Sequence, residues 1–238
     1  MRNRRVFYLI VVLMASCTTG SEAVSTTLPI AAATSAPRIT TAPTTSTAPT
    51  TTTSTIAVPP GYVLIEINGA DLRMALPESW VMIDLTAEDW ENLLSEGVAA
   101  IPDVAALINE EARAIIGEGG LLLAYDFDHQ SGGFVSNVNV VSTERGPTDV
   151  PELIGPLLAE QLEQFGAVAP AIDEVTLPMG EAIKASYDWA PQTGLTHTTV
   201  QYYVFGVEAL YIVTFSTKDL VDLEFVFETI MSTFDVAA

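Results

Sequence analysis

Residues 18–58 are dominated by Thr, Ser, Ala and Pro with only Glu22 and Arg38 charged, and residues 40–55 contain nothing but those four types. Such a tract cannot bury enough apolar surface to offset the entropy of ordering it, so it is expected to remain a disordered, partly extended tether. In polyproline II form a segment of this length would reach ~130 Å, and as a flexible coil it would average ~35 Å. Thr/Ser-rich tracts with proline are also the composition of O-glycosylated stalks, which makes the tether a candidate for that modification. Pro59 and Pro60 close it. Folding is thereby confined to residues 59–238, a length that suits one domain.

Charge divides the chain at the same place. Residues 59–238 carry five basic residues (Arg73, Arg113, Arg145, Lys184, Lys218) against twenty-nine acids, a net of −24. A surface that acidic repels phosphate backbones and anionic head groups, which argues against nucleic-acid partners and against direct lipid-surface binding by the folded part. Cys17 is the only cysteine, and His129 and His197 are the only histidines. No disulfide framework follows, and a dedicated zinc or copper site is not expected. No cofactor is implied.

Before the tether, Arg2, Arg4 and Arg5 precede an unbroken apolar run over residues 6–15. This is a signal peptide's pattern, and the run is about half the ~20 residues a spanning helix needs. Met14-Ala15-Ser16-Cys17 resembles the lipobox of bacterial lipoproteins, with Met14 in place of the usual leucine. The resemblance implies a signal peptide over 1–16, diacylglycerol on Cys17, and a lipidated tether over 17–58 on the extracytoplasmic side of the cell envelope. One acyl chain holds a protein reversibly, whereas two or three hold it effectively for good.

In the remaining segment, period-2 alternation predicts strands over 63–67 and 72–76 joined by the Gly69-Ala70-Asp71 turn. Thr86 is placed to cap a helix carrying Trp90, Leu93 and Leu94, and Pro102 to open another with Val104, Leu107, Ile108 and Ile115 on one side, ended by Gly117. A hairpin follows, its arms marked by Leu121, Leu123, Tyr125, Phe127 and by Phe134, Val138, Val140, its turn over 129–133. A helix from Asp149 through Phe165 contains Pro156, which predicts a separate or kinked first turn. Strands are expected at about 172–177, 181–189, 198–205 and 209–216. A last amphipathic helix sets Leu220, Leu223, Phe227, Ile230 and Phe234 on one face. Hairpin-linked strands with helices between groups of them define an α+β domain, a central antiparallel sheet flanked by helices.

Within that order lie Leu76-Pro77-Glu78-Ser79-Trp80, Leu177-Pro178-Met179-Gly180-Glu181-Ala182, Gln201-Tyr202-Tyr203-Val204 and Tyr211-Ile212-Val213-Thr214-Phe215. Together they resemble the Mog1/PsbP-like fold, an α/β/α sandwich, and more narrowly the LpqN/LpqT-type lipoproteins of actinobacteria. The likeness covers about residues 61–236. It implies a module that acts by binding partners. Each patch also has a packing role: Tyr202, Tyr203, Tyr211 and Phe215 are in the first place core aromatics of strands.

Catalytic constellations are sparse. Asp128, His129 and Ser131 share one tight turn, where neighbours rarely reach triad geometry. Asp126-Phe127-Asp128 begins like a calcium loop but lacks its glycine and terminal glutamate. The glycines at 117, 119 and 120 end a helix and begin a strand, and do not form a phosphate cradle.

If the apolar set of every strand faces one core, the opposite sheet face presents Asp126, Asn137, Asn139, Lys184, Ser186, Asp188, Thr199, Gln201 and Tyr203. Antiparallel sheets commonly solvate such a face. The alternative is a partly covered cleft in which Asp126, Asn137, Asn139, Lys184, Ser186, Gln201 and Tyr203 bind a small polar or lipidic envelope ligand or a protein partner. The expectation is a non-catalytic binding module anchored to the membrane through Cys17. A hydrolase of envelope lipid or polymer, and a purely structural envelope component, are the rivals. Cys17→Ser is predicted to leave the chain unlipidated, either released from membranes or stalled as precursor. Fractionation and mass measurement of the mature chain check this; a cleaved serine variant that still sediments with membranes would refute it.

Overall fold

The computed structural model describes residues 56–236 apart from 68–69, 71, 89, 91–118, 132–133, 147–148 and 190–195. The signal peptide, Cys17, most of the tether and the two helices expected around Leu93 and after Pro102 lie outside the described residues. In chain order the elements are β1 (Tyr62–Ile67), β2 (Leu72–Pro77), β3 (Val81–Asp84), β4 (Gly120–Ser131), β5 (Phe134–Glu144), α1 (Pro151–Gln164), β6 (Ala167–Leu177), β7 (Gly180–Trp189), β8 (His197–Phe205), β9 (Ala209–Thr217), α2 (Leu220–Ser232) and β10 (Asp235–Val236). β3 and β10 have no counterpart in the sequence reading, and β6 begins five residues earlier than expected.

Seven strands form one sheet in the order β3-β4-β5-β9-β8-β7-β6, every neighbouring pair antiparallel. A smaller sheet holds β1-β2-β10. On the front of the large sheet, Leu122, Val140, Val200, Tyr202, Val213 and Phe215 pack with Leu223, Phe227, Ile230 and Met231 of α2 and with Ile65, Leu72, Met74 and Leu76 of the small sheet. Phe215 and Phe227 stack at 4.4 Å between ring centroids. On the back, Ile183, Ala185, Tyr187, Trp189 and Tyr203 pack with Leu158 and Leu162 of α1. The chain is thus an α+β protein in which an antiparallel sheet is covered by a helix on each face.

Local chemistry accounts for the departures from expectation. α1 runs through Pro156 as one helix, with Pro151 at its start supplying a preset φ. Asp126 ends the regular register of β4: its carboxylate accepts hydrogen bonds from the amides of Asp128 (3.1 Å) and His129 (3.3 Å). The strand then resumes at Gln130 opposite Val135. The predicted turn over 129–133 is therefore shorter, because side-chain bonds from Asp126 shape a bulge inside the strand.

The C-terminus is tied back to β2. Arg73 pairs with Asp235, and the Ala75 amide donates to Thr233 Oγ1 at 2.8 Å. Arg145, after β5, donates from Nη1 to the Gly206 carbonyl at 2.5 Å and from Nε to the Asp149 carbonyl at 3.1 Å. It thereby joins the approach to α1 to the β8–β9 turn.

Gly119, at the entry to β4, has φ +90°, and a Cβ there would lie 2.5 Å from the Ser142 carbonyl oxygen. Gly61 has φ +80° with open space around it. Gly119→Ala is predicted to destabilise the fold by about 1–3 kcal/mol more than Gly61→Ala, since both carry the strain of positive φ and only the first adds a backbone clash. Urea unfolding of the two variants checks the difference.

Candidate functional site

Strand registers decide which polar residues share a face. One row across the sheet reads Leu123, Asn139, Thr214, Gln201 and Ala185, and all of it faces back. The next row, Leu122, Val140, Val213, Tyr202 and Lys184, faces front. The predicted single polar face is therefore divided. Asn137, Asn139, Thr199, Gln201 and Tyr203 lie on the back, whereas Asp126, Lys184, Ser186 and Asp188 lie on the front.

The reason is that both faces of the sheet are packed. β5 and β8 turn their apolar sets to the front, under α2, while β7 turns Ile183, Ala185 and Tyr187 to the back, under α1. The assumption of a single core face inverts β7 relative to β8, and β4, whose Leu123 and Tyr125 face back, relative to β5. Lys184 and Ser186 thus leave the predicted site, and so does Asp126.

On the back, the polar residues are buried, not solvated. Gln201 is fully enclosed; its Nε2 donates to Thr214 Oγ1 at 2.9 Å, and its Oε1 accepts from the Tyr203 hydroxyl at 2.5 Å. Burial raises the pKa of Tyr203 above its ordinary value of 10.0. Because the folded value exceeds the unfolded one, this group's contribution to stability is complete below pH 10.0 and is lost as pH rises beyond it.

Asn137 and Asn139 stand two residues apart on the same face of β5, buried beside this network. Asn137 Nδ2 donates to the Val135 carbonyl at 3.2 Å. The Asn137 Oδ1 and Asn139 Oδ1 atoms have no hydrogen-bond partner among the described residues. Thr214 completes the row and was missed in the sequence, where it sits inside an apolar run. Its signal is register: it lies opposite both Asn139 and Gln201.

On the front, Lys184 lies between Glu224 (3.6 Å) and Glu228 (3.7 Å) of α2 and over the Tyr202 ring. Burial, followed by the charges of Glu228 and Glu224, raises the pKa of Tyr202. Where β4 and β5 meet the start of α2, a cleft of about 170 Å³ is lined by Asp128, His129, Ser131, Phe134, Ser136, Lys218 and Asp219. His129 Nδ1 bonds to Oδ2 of the buried Asp126 at 2.7 Å, so its carboxylate partner is Asp126 and not Asp128. Ser136 and Thr217 share a hydroxyl bond of 2.9 Å behind it. The cleft is smaller than the ~300–1,000 Å³ of drug-sized sites and suits one small group.

Among the described residues no group of three or more His, Cys, Asp or Glu is arranged to hold a metal ion. Among them, too, no helix is long and apolar enough to cross a membrane.

No family model matches the chain, and no curated protein matches it in sequence. Among solved structures it is similar to the cyanobacterial PsbP protein of Synechocystis, with 10% identity and a TM-score of 0.46 over 74% of this chain and 92% of that one. It is similar to LpqN of Mycobacterium tuberculosis, a protein involved in cell envelope biogenesis, with 8% identity and a TM-score of 0.46 over 74% and 91%. It is also similar to the Ran-binding protein Mog1p of Saccharomyces cerevisiae, with 10% identity and a TM-score of 0.41 over 74% and 95%.

Gln201→Leu is predicted to destabilise the protein by about 1–3 kcal/mol, because it strands the enclosed Tyr203 hydroxyl. Adding Tyr203→Phe should recover part of that loss, a non-additivity that a double-mutant cycle in urea measures.

Proposed function

We propose that this chain is an envelope lipoprotein of the LpqN type whose domain binds a ligand or partner without catalysing a reaction. Lipid on Cys17 holds it at the extracytoplasmic side of a membrane, and residues 18–58 act as the tether. The basic start, the apolar run and the lipobox-like Met14-Ala15-Ser16-Cys17 support the anchor. The sequence patches named above support the Mog1/PsbP-like assignment: they fall on β2 and the turn after it, the β6–β7 turn, β8 and β9.

The observation that carries the binding role is the pair of buried acceptors, Asn137 Oδ1 and Asn139 Oδ1, beside the Gln201–Thr214–Tyr203 network. A buried acceptor left unpaired costs ~1–3 kcal/mol, a penalty that a bound donor removes. Thr214 accepts from Gln201 and so retains its own hydroxyl proton for donation. A ligand reaching this buried row would have to bring neutral hydroxyl or amide donors into it, and the net charge of −24 disfavours anions.

Asn139→Leu tests this in two readouts. Mass spectrometry of material extracted from the natively purified protein should show a small polar molecule in the parent and its depletion in the variant. The ligand-free variant should at the same time unfold at higher urea than the parent, because an unpaired acceptor has been replaced by an apolar group of similar size. No extractable molecule from the parent, together with lowered stability of the variant, would mean that the acceptors are satisfied within the protein and the binding reading is wrong.

A hydrolase is the second reading, favoured by His129, which is paired with the buried Asp126 and lines the same cleft as Ser131. Among the described residues Ser131 makes no hydrogen bond to His129, so a nucleophile–base contact would have to form on substrate binding. Loss of ester hydrolysis in Ser131→Ala would establish it.

A further inference from the structure

α2 buries Leu223, Phe227, Ile230 and Met231, yet its outer side carries Val221 at 91% exposure and Phe225 at 76%. The two are four residues apart and lie next to one another on the helix surface. Around them stand Asp219, Asp222, Glu224 and Glu228, all exposed. Glu224 and Glu228 reach Lys184 from the sheet, and Asp219 and Asp222 have no ion-pair partner among the described residues. The helix therefore presents an apolar pair ringed by carboxylates, in a domain of only five basic residues against twenty-nine acids.

We propose that this outer face of α2 is a docking surface for a protein segment that carries lysine or arginine on both sides of a large apolar side chain. The apolar residue would cover Phe225 and Val221, and the cations would meet Asp219, Asp222, Glu224 and Glu228. Charge decides among occupants. A second copy would bring the same four carboxylates against these, and two apolar side chains fall far short of the ~800 Å² that each partner gives to a stable dimer. An anionic membrane surface is repelled by the same groups. A basic, apolar-bearing segment gains on both counts, with Phe225 as the aromatic anchor. The surface lies on the front helix and is independent of the back-face polar row.

The test uses the full-length chain and a labelled amphipathic lysine–leucine peptide, read by fluorescence anisotropy. Binding is expected, with Phe225→Ser weakening it about tenfold or more, as loss of an aromatic anchor does. Phe225→Tyr should retain it. The Asp222→Asn/Glu228→Gln variant should weaken it severalfold, and so should raising ionic strength from about 0.01 M to about 0.15 M, which shortens the Debye length from about 30 Å to about 8 Å. Asp173→Asn/Glu174→Gln, on β6, controls for general acidity and should leave binding unchanged. Far-UV dichroism and melting identify any variant that fails to fold; Val221→Ser then supplies the same information as Phe225→Ser. The proposal is overturned if the lysine–leucine peptide does not bind, if Phe225→Ser and Val221→Ser both bind within about twofold of the parent, or if the β6 control loses binding equally. It is also overturned if a glutamate–leucine peptide binds as well, or if the parent self-associates through Phe225 in sedimentation.

Discussion

The seven-stranded sheet buries both of its faces, and much else in the domain follows from that. A sheet with one wet face sorts its side chains by alternation, apolar inward and polar outward. Here the front packs on α2 and the small sheet and the back packs on α1, so a polar side chain on either face must find a partner within the protein or leave a group unpaired. Gln201, Thr214 and Tyr203 solve this by bonding one another across β8 and β9. Ser136 and Thr217 do the same on the front. The side-chain carbonyls of Asn137 and Asn139, one strand away from Gln201's partner Thr214, are places where the solution is incomplete among the described residues, as is the Tyr187 hydroxyl on β7.

The same constraint sets how much was legible in the sequence. Strand positions from β4 to β9 and the course of α2 were readable, because apolar periodicity survives wherever one face is strongly apolar. Leu223, Phe227 and Ile230 fall on the buried side of α2 as their spacing requires. Phe234 is buried too, but beyond the helix, which ends at Ser232. Facing was readable for β5 and β8 and not for β4 or β7. Ile183, Ala185 and Tyr187 look like an ordinary core set, and nothing within one strand says which of two cores they enter. Only the register Ala185↔Gln201 reveals that they share a face with polar residues of the next strand. A one-residue shift would have restored the predicted face, which shows how far such a prediction rests on pairing instead of composition.

Short-range polar chemistry was the other hidden element. The alternation around Asp126 predicts a strand that ends before His129. The carboxylate instead gathers two backbone amides and the His129 ring, and the chain bulges and continues to Ser131. The bulge brings His129 and Ser131 to a cleft with Lys218, a residue far along the chain that no local pattern associates with them. α1 offers a similar lesson. Its periodicity is real, but Leu158 and Leu162 are buried whereas Leu153 and Leu157 are half exposed, since the helix lies over only the β6–β7 side of the sheet.

The scarcity of cations in the domain is itself a structural constraint. Arg73 holds the C-terminal strand through Asp235, Arg145 is committed to the Gly206 and Asp149 carbonyls, and Lys184 lies between two glutamates of α2. Three of the five basic residues after position 58 thus serve to fasten one element to another, each using a surplus carboxylate or a carbonyl as its counterpart. Few remain to neutralise the outer surface, so the field outside stays negative at ranges up to a Debye length. At the back face, by contrast, the polar groups are amides and hydroxyls with no formal charge. The back-face row is thus hydrogen-bonded without formal charge, while the surplus carboxylates stand outside it.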